Sequence, residues 1–512
     1  MAKLKSSIFS FVQDNWLFVA VGLLLVVAYF FSRFLNLTLI PVFADEAIYI
    51  RWAQVMRAVP SLRFIPLSDG KQPLFMWLII PFLKVFPDPL VAGRMVSVLA
   101  GFGTMAGIFA LSLVLFKKKE IGFFASLLYV ISPFSLFFDR LALADGLLSF
   151  LGVWVLLIAV LLLKLKRLDL AMIGGMILGL ALLTKSPALF FALLLPATLL
   201  LFDFSQKDWL LGLVKLTFLW GVVYFLAFAI YNILRLGPEF HMIALRNKDY
   251  VFSLAEIINH PFKPFWGNFK AAISWLWILL TPVTFLLGWL GAGLALKKNF
   301  RSAAFVLLAF FGPLCAQSAL AKVYTARYIL FLVPFFLVLA GFGLADFFDS
   351  LKSKKAVIGF LILVFVFPLY QLGLLLSFPQ QASLPAEERR GYLEIWTAGY
   401  GIREAADYLK MIAKDEKVLV GTEGYFGTLP DGLQIYLEKA PNITIIGLGQ
   451  PIREISSKLT NALADNRVFL LVNDSRLEVV DNKKIKLINQ FPKAKNLQTG
   501  SQENLLLFEI SK

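Results

Sequence analysis

Apolar residues run through this chain in long, nearly unbroken blocks, and polar residues gather in the connections between them. A helix crossing the ~30 Å hydrocarbon core of a bilayer takes about 20 consecutive apolar residues. By that measure there are about eleven spans, at residues 16–33, 89–116, 121–137, 142–163, 170–184, 188–202, 209–235, 270–296, 302–321, 328–348 and 356–377. The fifth and sixth are short for a bilayer. Beyond Phe378 the pattern changes. VLVGTEG, NITIIGLG, RVFLLVND and NLLLFEI read as short strands, while EAADYLKMIA and LQIYLEKA read as helices. A transmembrane domain at 1–378 is therefore expected to precede a soluble α/β domain at 379–512. No internal repeat marks two related transporter halves.

Composition strengthens this picture. Of 512 residues, 59% are hydrophobic, and mean hydropathy is +0.77, which defines an α-helical polytopic membrane protein. A net charge of +16 then points to lipid phosphates and topology rather than to nucleic acid. Lys3 and Lys5, Lys117 to Lys119, Lys164 to Arg167, Lys207, Lys297 to Arg301, and Lys352 to Lys355 fall on every second connection. Positive-inside bias makes that face cytoplasmic, together with the N-terminus, in a multi-pass plasma-membrane protein. No small-residue cleavage site follows the first block, so it reads as an uncleaved span. The lone Cys315 excludes an internal disulfide framework, and two histidines, His241 and His260, give little basis for a multi-histidine metal site.

Three larger pieces then lie on the outer face: the loop 34–88, the loop 236–269 and the extracytoplasmic tail. In the first, PVFADEAIYIRWAQVM sets Asp45 and Glu46 side by side. An amphipathic helix is predicted from Asp45 to Val59, with Ile48, Trp52, Val55 and Val59 on one face and Arg51, Gln54 and Arg57 on another. Such a helix would lie along the membrane surface. Acids at a helix start cap it and complement its dipole, which does not prevent one from also acting as a base. KQPLFMWLIIPFLKVF, residues 71–86, is Pro-interrupted and is expected to rest in the interface.

Ionisable residues also enter the apolar blocks. FFDRLALADGLL places Asp139, Arg140 and Asp145 at the outer end of the fourth block, and a carboxylate within such a run is a functional hypothesis by default. An Arg140–Asp145 pair is the structural alternative, although residues five apart are not helical neighbours. LLTKSPAL carries Lys185, and KVYTARYILFLVP carries Lys322, Tyr324, Arg327 and Tyr328, all in outer connections. Singly, snorkelling to headgroups accounts for such cations. Together with Lys71 and Arg94 they could line a cationic pocket opposite the acidic pair, suited to a phosphate or pyrophosphate leaving group. GTEGYFG in the tail matches no phosphate loop and reads as a turn. There is no P-loop, dinucleotide fingerprint or H-E-x-x-H. Asn36, Asn442 and Asn473 begin N-x-S/T sequons.

The acidic pair opening the first outer loop, the K-x-P of Lys71 and Pro73, and Arg94 in the second block resemble the C-type glycosyltransferase superfamily. So do R-x-x-x-x-D (Arg140 to Asp145), T-K-S-P (Thr184 to Pro187) and A-R-Y (Ala326 to Tyr328). The similarity lies with the dolichyl-phosphate-mannose–protein mannosyltransferase and aminoarabinose transferase clan, in a bacterial or archaeal member. It implies an inverting transfer of a hexosyl or pentosyl unit, mannose or related, from a polyprenyl-phosphate carrier to a hydroxyl of an acceptor protein, lipid or glycan. Asp45 would be the general base, and Glu46 and Asp145 would position acceptor or sugar or support Asp45. Lys71, Arg140, Lys185 and Arg327 would hold the carrier phosphate, with Arg94 and Tyr324 as further substrate-binding candidates. No cofactor is implied outright, and a divalent metal is left open because relatives differ. The loop 236–269 is too short for the trefoil-type domain of eukaryotic protein mannosyltransferases. A transporter or lipid-linked glycan flippase is the competing class, followed by a glycan polymerase or ligase and a non-catalytic scaffold.

Overall fold

The computed structural model describes residues 16–259, 262–350, 353–478 and 484–511; Lys3, Lys5, His260 and Lys352 lie outside these. Among the described residues seven helices are long and apolar enough to cross a membrane: Trp16–Phe34, Pro89–Phe116, Ala144–Leu165, Trp209–Leu236, Phe300–Leu320, Ala326–Ser350 and Lys355–Ser377. The chain is an integral membrane protein. The start of Pro89–Phe116 shows how local sequence sets an element. Asp88 caps it by accepting from the backbone N–H of Leu90 (2.8 Å) and Val91 (3.3 Å), and Pro89 fills the first position.

Two apolar blocks break where proline intervenes. Lys119–Ile131 and Pro133–Asp139 meet at 62°, and Lys263–Leu279 and Pro282–Lys298 at 112°. The expected single span at 270–296 is therefore two helices. Pro282 bars Thr281 from helical backbone, and Thr281 turns to φ 70°, so one helix ends and another begins. Counting each bent pair as one span gives nine, with shorter apolar helices at Leu168–Leu182 and Ser186–Leu201, so the count of eleven is not established.

Ala326–Ser350 runs through the centre, 94% buried over its apolar window, whereas Trp16–Phe34 and Lys355–Ser377 are 17% buried and present apolar side chains outward. Pro282–Lys298 touches the central helix backbone to backbone. A Cβ on Gly291 would stand 1.9 Å from the Leu339 carbonyl, so only glycine permits that approach.

After Ser377 the chain forms a small domain around a five-stranded sheet of order β2-β1-β3-β5-β4. β1 (Val418–Thr422), β2 (Ile443–Gly447) and β3 (Arg467–Asn473) are parallel; β4 (Ile485–Pro492) and β5 (Asn504–Ile510) complete it antiparallel. Helix Ala44–Ala58 is clamped between this domain and the bundle. Phe43 bridges Ala398, Gln54 Nε2 donates to the Ile435 carbonyl (2.9 Å), and Arg57 pairs with Glu438 (2.7 Å). Ile48, Trp52 and Gln54 are all buried, so the expected surface-lying helix is instead enclosed on both faces. Of its polar stripe, Gln54 and Arg57 bond to the sheet domain, with Arg57 part-exposed. Leu74–Val85 is 12 residues, about 18 Å long and too short to cross a bilayer.

Candidate active site

Asp45 and Glu46 occupy the first turn of helix Ala44–Ala58, yet they face different surroundings. Glu46 is fully buried. Its oxygens accept from Arg94 Nε (2.8 Å) and Nη2 (2.7 Å), from the Phe43 N–H (3.0 Å) and from the Ala142 N–H (2.6 Å). Arg94 spends its remaining N–H groups on the carbonyls of Leu37, Ile40 and Pro41, so all five donors are used. This pair ties the first loop to two helices and leaves nothing for a ligand. Neither the positioning role expected of Glu46 nor the substrate-binding role expected of Arg94 fits that geometry.

Asp45 opens toward the connections that carry Lys71, Lys185 and Arg327. One oxygen lies 2.6 Å from Arg327 Nη1 and the other 3.5 Å from Lys71 Nζ. Burial alone would raise its pKa, but Lys71, Arg327 and Lys185 outweigh it and hold the carboxyl well below the usual range. For Lys71, burial would lower the pKa, and Asp45, Tyr49 and Asp69 push it above the ordinary lysine value instead. Lys71 also reaches Asp69 (3.2 Å), which accepts from Arg246 (2.7 Å). Beside them Lys185 pairs with Asp145 (2.5 Å) and stands 4.3 Å over the Tyr328 ring; the Arg327 guanidinium is 5.3 Å from the same ring. The A-R-Y stretch thus supplies a cation to Asp45 and an aromatic floor to two cations.

Asp45, Lys71, Asp145, Lys185 and Arg327 are brought together as one cluster. Arg140 and Tyr324 are not. Arg140 Nη2 donates to the Leu35 and Asn36 carbonyls (2.7 and 2.6 Å), satisfying the end of helix Trp16–Phe34. Tyr324 packs against Trp275 with ring centroids 5.0 Å apart and planes tilted by 53°, its hydroxyl buried without a partner among the described residues. The structural alternative of an Arg140–Asp145 pair is also replaced, because Asp139 pairs with Arg33 (3.2 Å) and Asp145 with Lys185.

Several residues escaped the sequence reading. Glu388 comes from the tail segment EERRGYLEIWTAGYG and accepts from the Ala326 N–H at 2.7 Å, fixing the backbone that carries Arg327. It is 4% exposed, and burial pushes its carboxyl up to about 7, against the opposing pull of the Ala326 N–H and Arg327. Asp69 and Arg246, also unforeseen, complete the surroundings together with Tyr328 of the A-R-Y stretch. The doubled acid of the tail was the one signal available for Glu388. Among the described residues no three His, Cys, Asp or Glu side chains gather as a metal site.

Residues 70–233 match the family model of dolichyl-phosphate-mannose–protein mannosyltransferase. No curated protein matches the sequence. The fold is similar to that of ArnT from Cupriavidus metallidurans bound to undecaprenyl phosphate, at TM-score 0.56 and 15% identity, over 96% of this chain and 98% of that one. It is also similar to the oligosaccharyltransferase AglB from Archaeoglobus fulgidus in complex with an inhibitory peptide and a dolichol-phosphate. There the TM-score is 0.53 and the identity 12%, over 90% of this chain and 70% of that one. The fold is that of the C-type glycosyltransferases, as the sequence resemblance implied.

Proposed function

We propose that the chain is an inverting glycosyltransferase that moves a sugar, mannose or a related unit, from a polyprenyl-phosphate carrier to an acceptor hydroxyl on the outer membrane face. The observation that carries this reading is the Asp45 cluster: one carboxylate shared by Lys71 and Arg327, beside the Asp145–Lys185 pair. In this mechanism the acceptor oxygen attacks the anomeric carbon from the face opposite the phosphate. The bond from that carbon to the phosphate oxygen breaks, and the acceptor proton passes to Asp45. The polyprenyl phosphate leaves with added negative charge, which Lys71, Lys185 and Arg327 stabilise.

The same cations that make Asp45 a weak base are the ones a phosphate would claim. As Lys71 and Arg327 turn to phosphate oxygens, Asp45 loses its counter-charges and its pKa climbs toward the carboxylate range, so donor binding itself arms the base. Glu46 serves by holding the helix that presents Asp45, and Asp145 by holding Lys185. A polytopic transporter would not require a carboxylate poised in this way outside the spans.

The test uses purified protein in lipid with radiolabelled polyprenyl-phosphate mannose and related donors, comparing wild type with Asp45→Asn. Release of polyprenyl phosphate that collapses in the variant is expected. Equal turnover in both proteins removes Asp45 as the base.

A further inference from the structure

GTEGYFG lies at a singular place in the C-terminal sheet. From β1 the chain crosses to β2 on one side and then to β3 on the other. The two connections part at the carboxyl ends of β1 and β3, and in open parallel sheets the crevice at such a switch point is where ligands bind. GTEGYFG straddles the end of β1, and Asn473 ends β3.

Two buried side chains meet there. Glu423 accepts from the Asn473 N–H (2.6 Å) and from Asn473 Nδ2 (2.7 Å), and each residue is 1% exposed. Among the described residues Asn473 Oδ1 has no partner. A buried polar atom left unpaired costs about 1–3 kcal/mol, so a fold rarely leaves one at a switch point without a use. Around them the Arg476 guanidinium stands 3.7 Å over the Trp396 ring, with its Nε 3.7 Å from Glu423. Gly427 lies against the same indole, and Tyr425, 74% exposed, rests over Gly447 and Gly449.

We propose that this crevice binds a neutral sugar residue of an acceptor glycan, which rests on the glycosyl-transfer reading of the membrane site. The chemistry selects the class. The unpaired Asn473 Oδ1 is an acceptor and calls for a ligand hydroxyl; the Arg476 fork, held over Trp396, donates to ring or hydroxyl oxygens; Tyr425 offers a flat apolar face to the C–H side of a pyranose. A phosphate is disfavoured by the buried carboxylate at the base. The crevice is also coupled to the membrane site: Phe426 packs on Trp52 at 5.6 Å, and Trp52 belongs to the helix that begins at Asp45.

The experiment uses the full chain in lipid nanodiscs, titrated with α-mannotriose and chitotriose and followed by saturation-transfer NMR, with polyprenyl phosphate release measured in parallel. A trisaccharide is expected to bind wild type and Asp45→Asn alike. Tyr425→Ala and Asn473→Ala are expected to weaken it at least about tenfold and to raise the acceptor concentration at which polyprenyl phosphate release is half-maximal. Tyr425 is exposed, so its variant keeps the wild-type melting temperature and separates binding from folding. Unchanged binding in both variants, or no saturation transfer from either trisaccharide to wild type, overturns the proposal. Loss of the donor reading shows instead as turnover that Asp45→Asn leaves intact, whatever the titration gives.

Discussion

Asp45 and Glu46 are neighbours in sequence, equally acidic, on the same turn of one helix, and the fold uses them in opposite ways. About 100° of helical rotation separates their side chains, enough to send Glu46 into the bundle and Asp45 toward Lys71 and Arg327. Glu46 meets an arginine whose every donor is spoken for, in a site closed to solvent. Asp45 meets two cations, one of which also reaches Asp69, in a site whose side chains keep 14–22% of their surface. A saturated ion pair fixes structure; an under-committed one can exchange partners. That difference, rather than acidity, separates the two carboxylates.

The comparison breaks most sharply at Asp45. Asp45→Asn is expected to lower donor turnover by about 10²- to 10⁴-fold with little change in melting temperature, since its cations keep other acids nearby. Arg94→Met should do the reverse, costing about 3–5 kcal/mol of stability by stranding Glu46 without a counter-charge; thermal unfolding in detergent reads this directly. Lys185→Met removes a cation from the developing phosphate charge and is expected to cost about 10²- to 10³-fold in turnover. Comparable melting curves for Arg94→Met and Lys185→Met would erase the distinction between the two clamps.

Glu388 sharpens it further through pH. Its carboxyl rises from 4.5 to about 7 on folding, so the folded state holds the proton more tightly. Its contribution is present in full below about pH 4.5 and is lost as pH rises through 7, by about 3 kcal/mol in all. Melting temperature should therefore fall across that window, and the fall should be smaller in Glu388→Gln. Asp431, pushed up to about 6 by burial, contributes with the same sign, so the informative quantity is the difference between the two proteins. The smallest effect belongs to Arg57→Ala: a part-exposed pair with Glu438, worth less than about 1 kcal/mol.

Where one residue dictates backbone, the sequence was legible. Asp88 and Pro89 announce a helix start, and the Thr281–Pro282 step carried the signal for a break that the apolar block 270–296 concealed. Four of the five strands stand out by their runs of aliphatic residues, while β4, a half-exposed edge reading IKLINQFP, has no such run. In the site, the cations of T-K-S-P and A-R-Y converge as their shared outer position suggested. Partnerships were not legible. Nothing local tells that Glu46 will meet Arg94 or that Arg33, not Arg140, will take a nearby aspartate, because those choices are made by helix rotation and by loops that fold back. Glu388 is the extreme case, since its partner at Ala326 lies across the whole of the last span.

The bridge of Phe43 to Ala398, with the Ala44 N–H bonded to the Thr397 carbonyl and the Gly399 N–H to the Val42 carbonyl, joins the beginning of the chain to its end. A ribosome makes these strands far apart in time. While the last spans are still being inserted, the helix bearing Asp45 has no second wall and Arg327 has no Glu388 beneath it. The Asp45 cluster is therefore complete only once the tail has closed over the first loop.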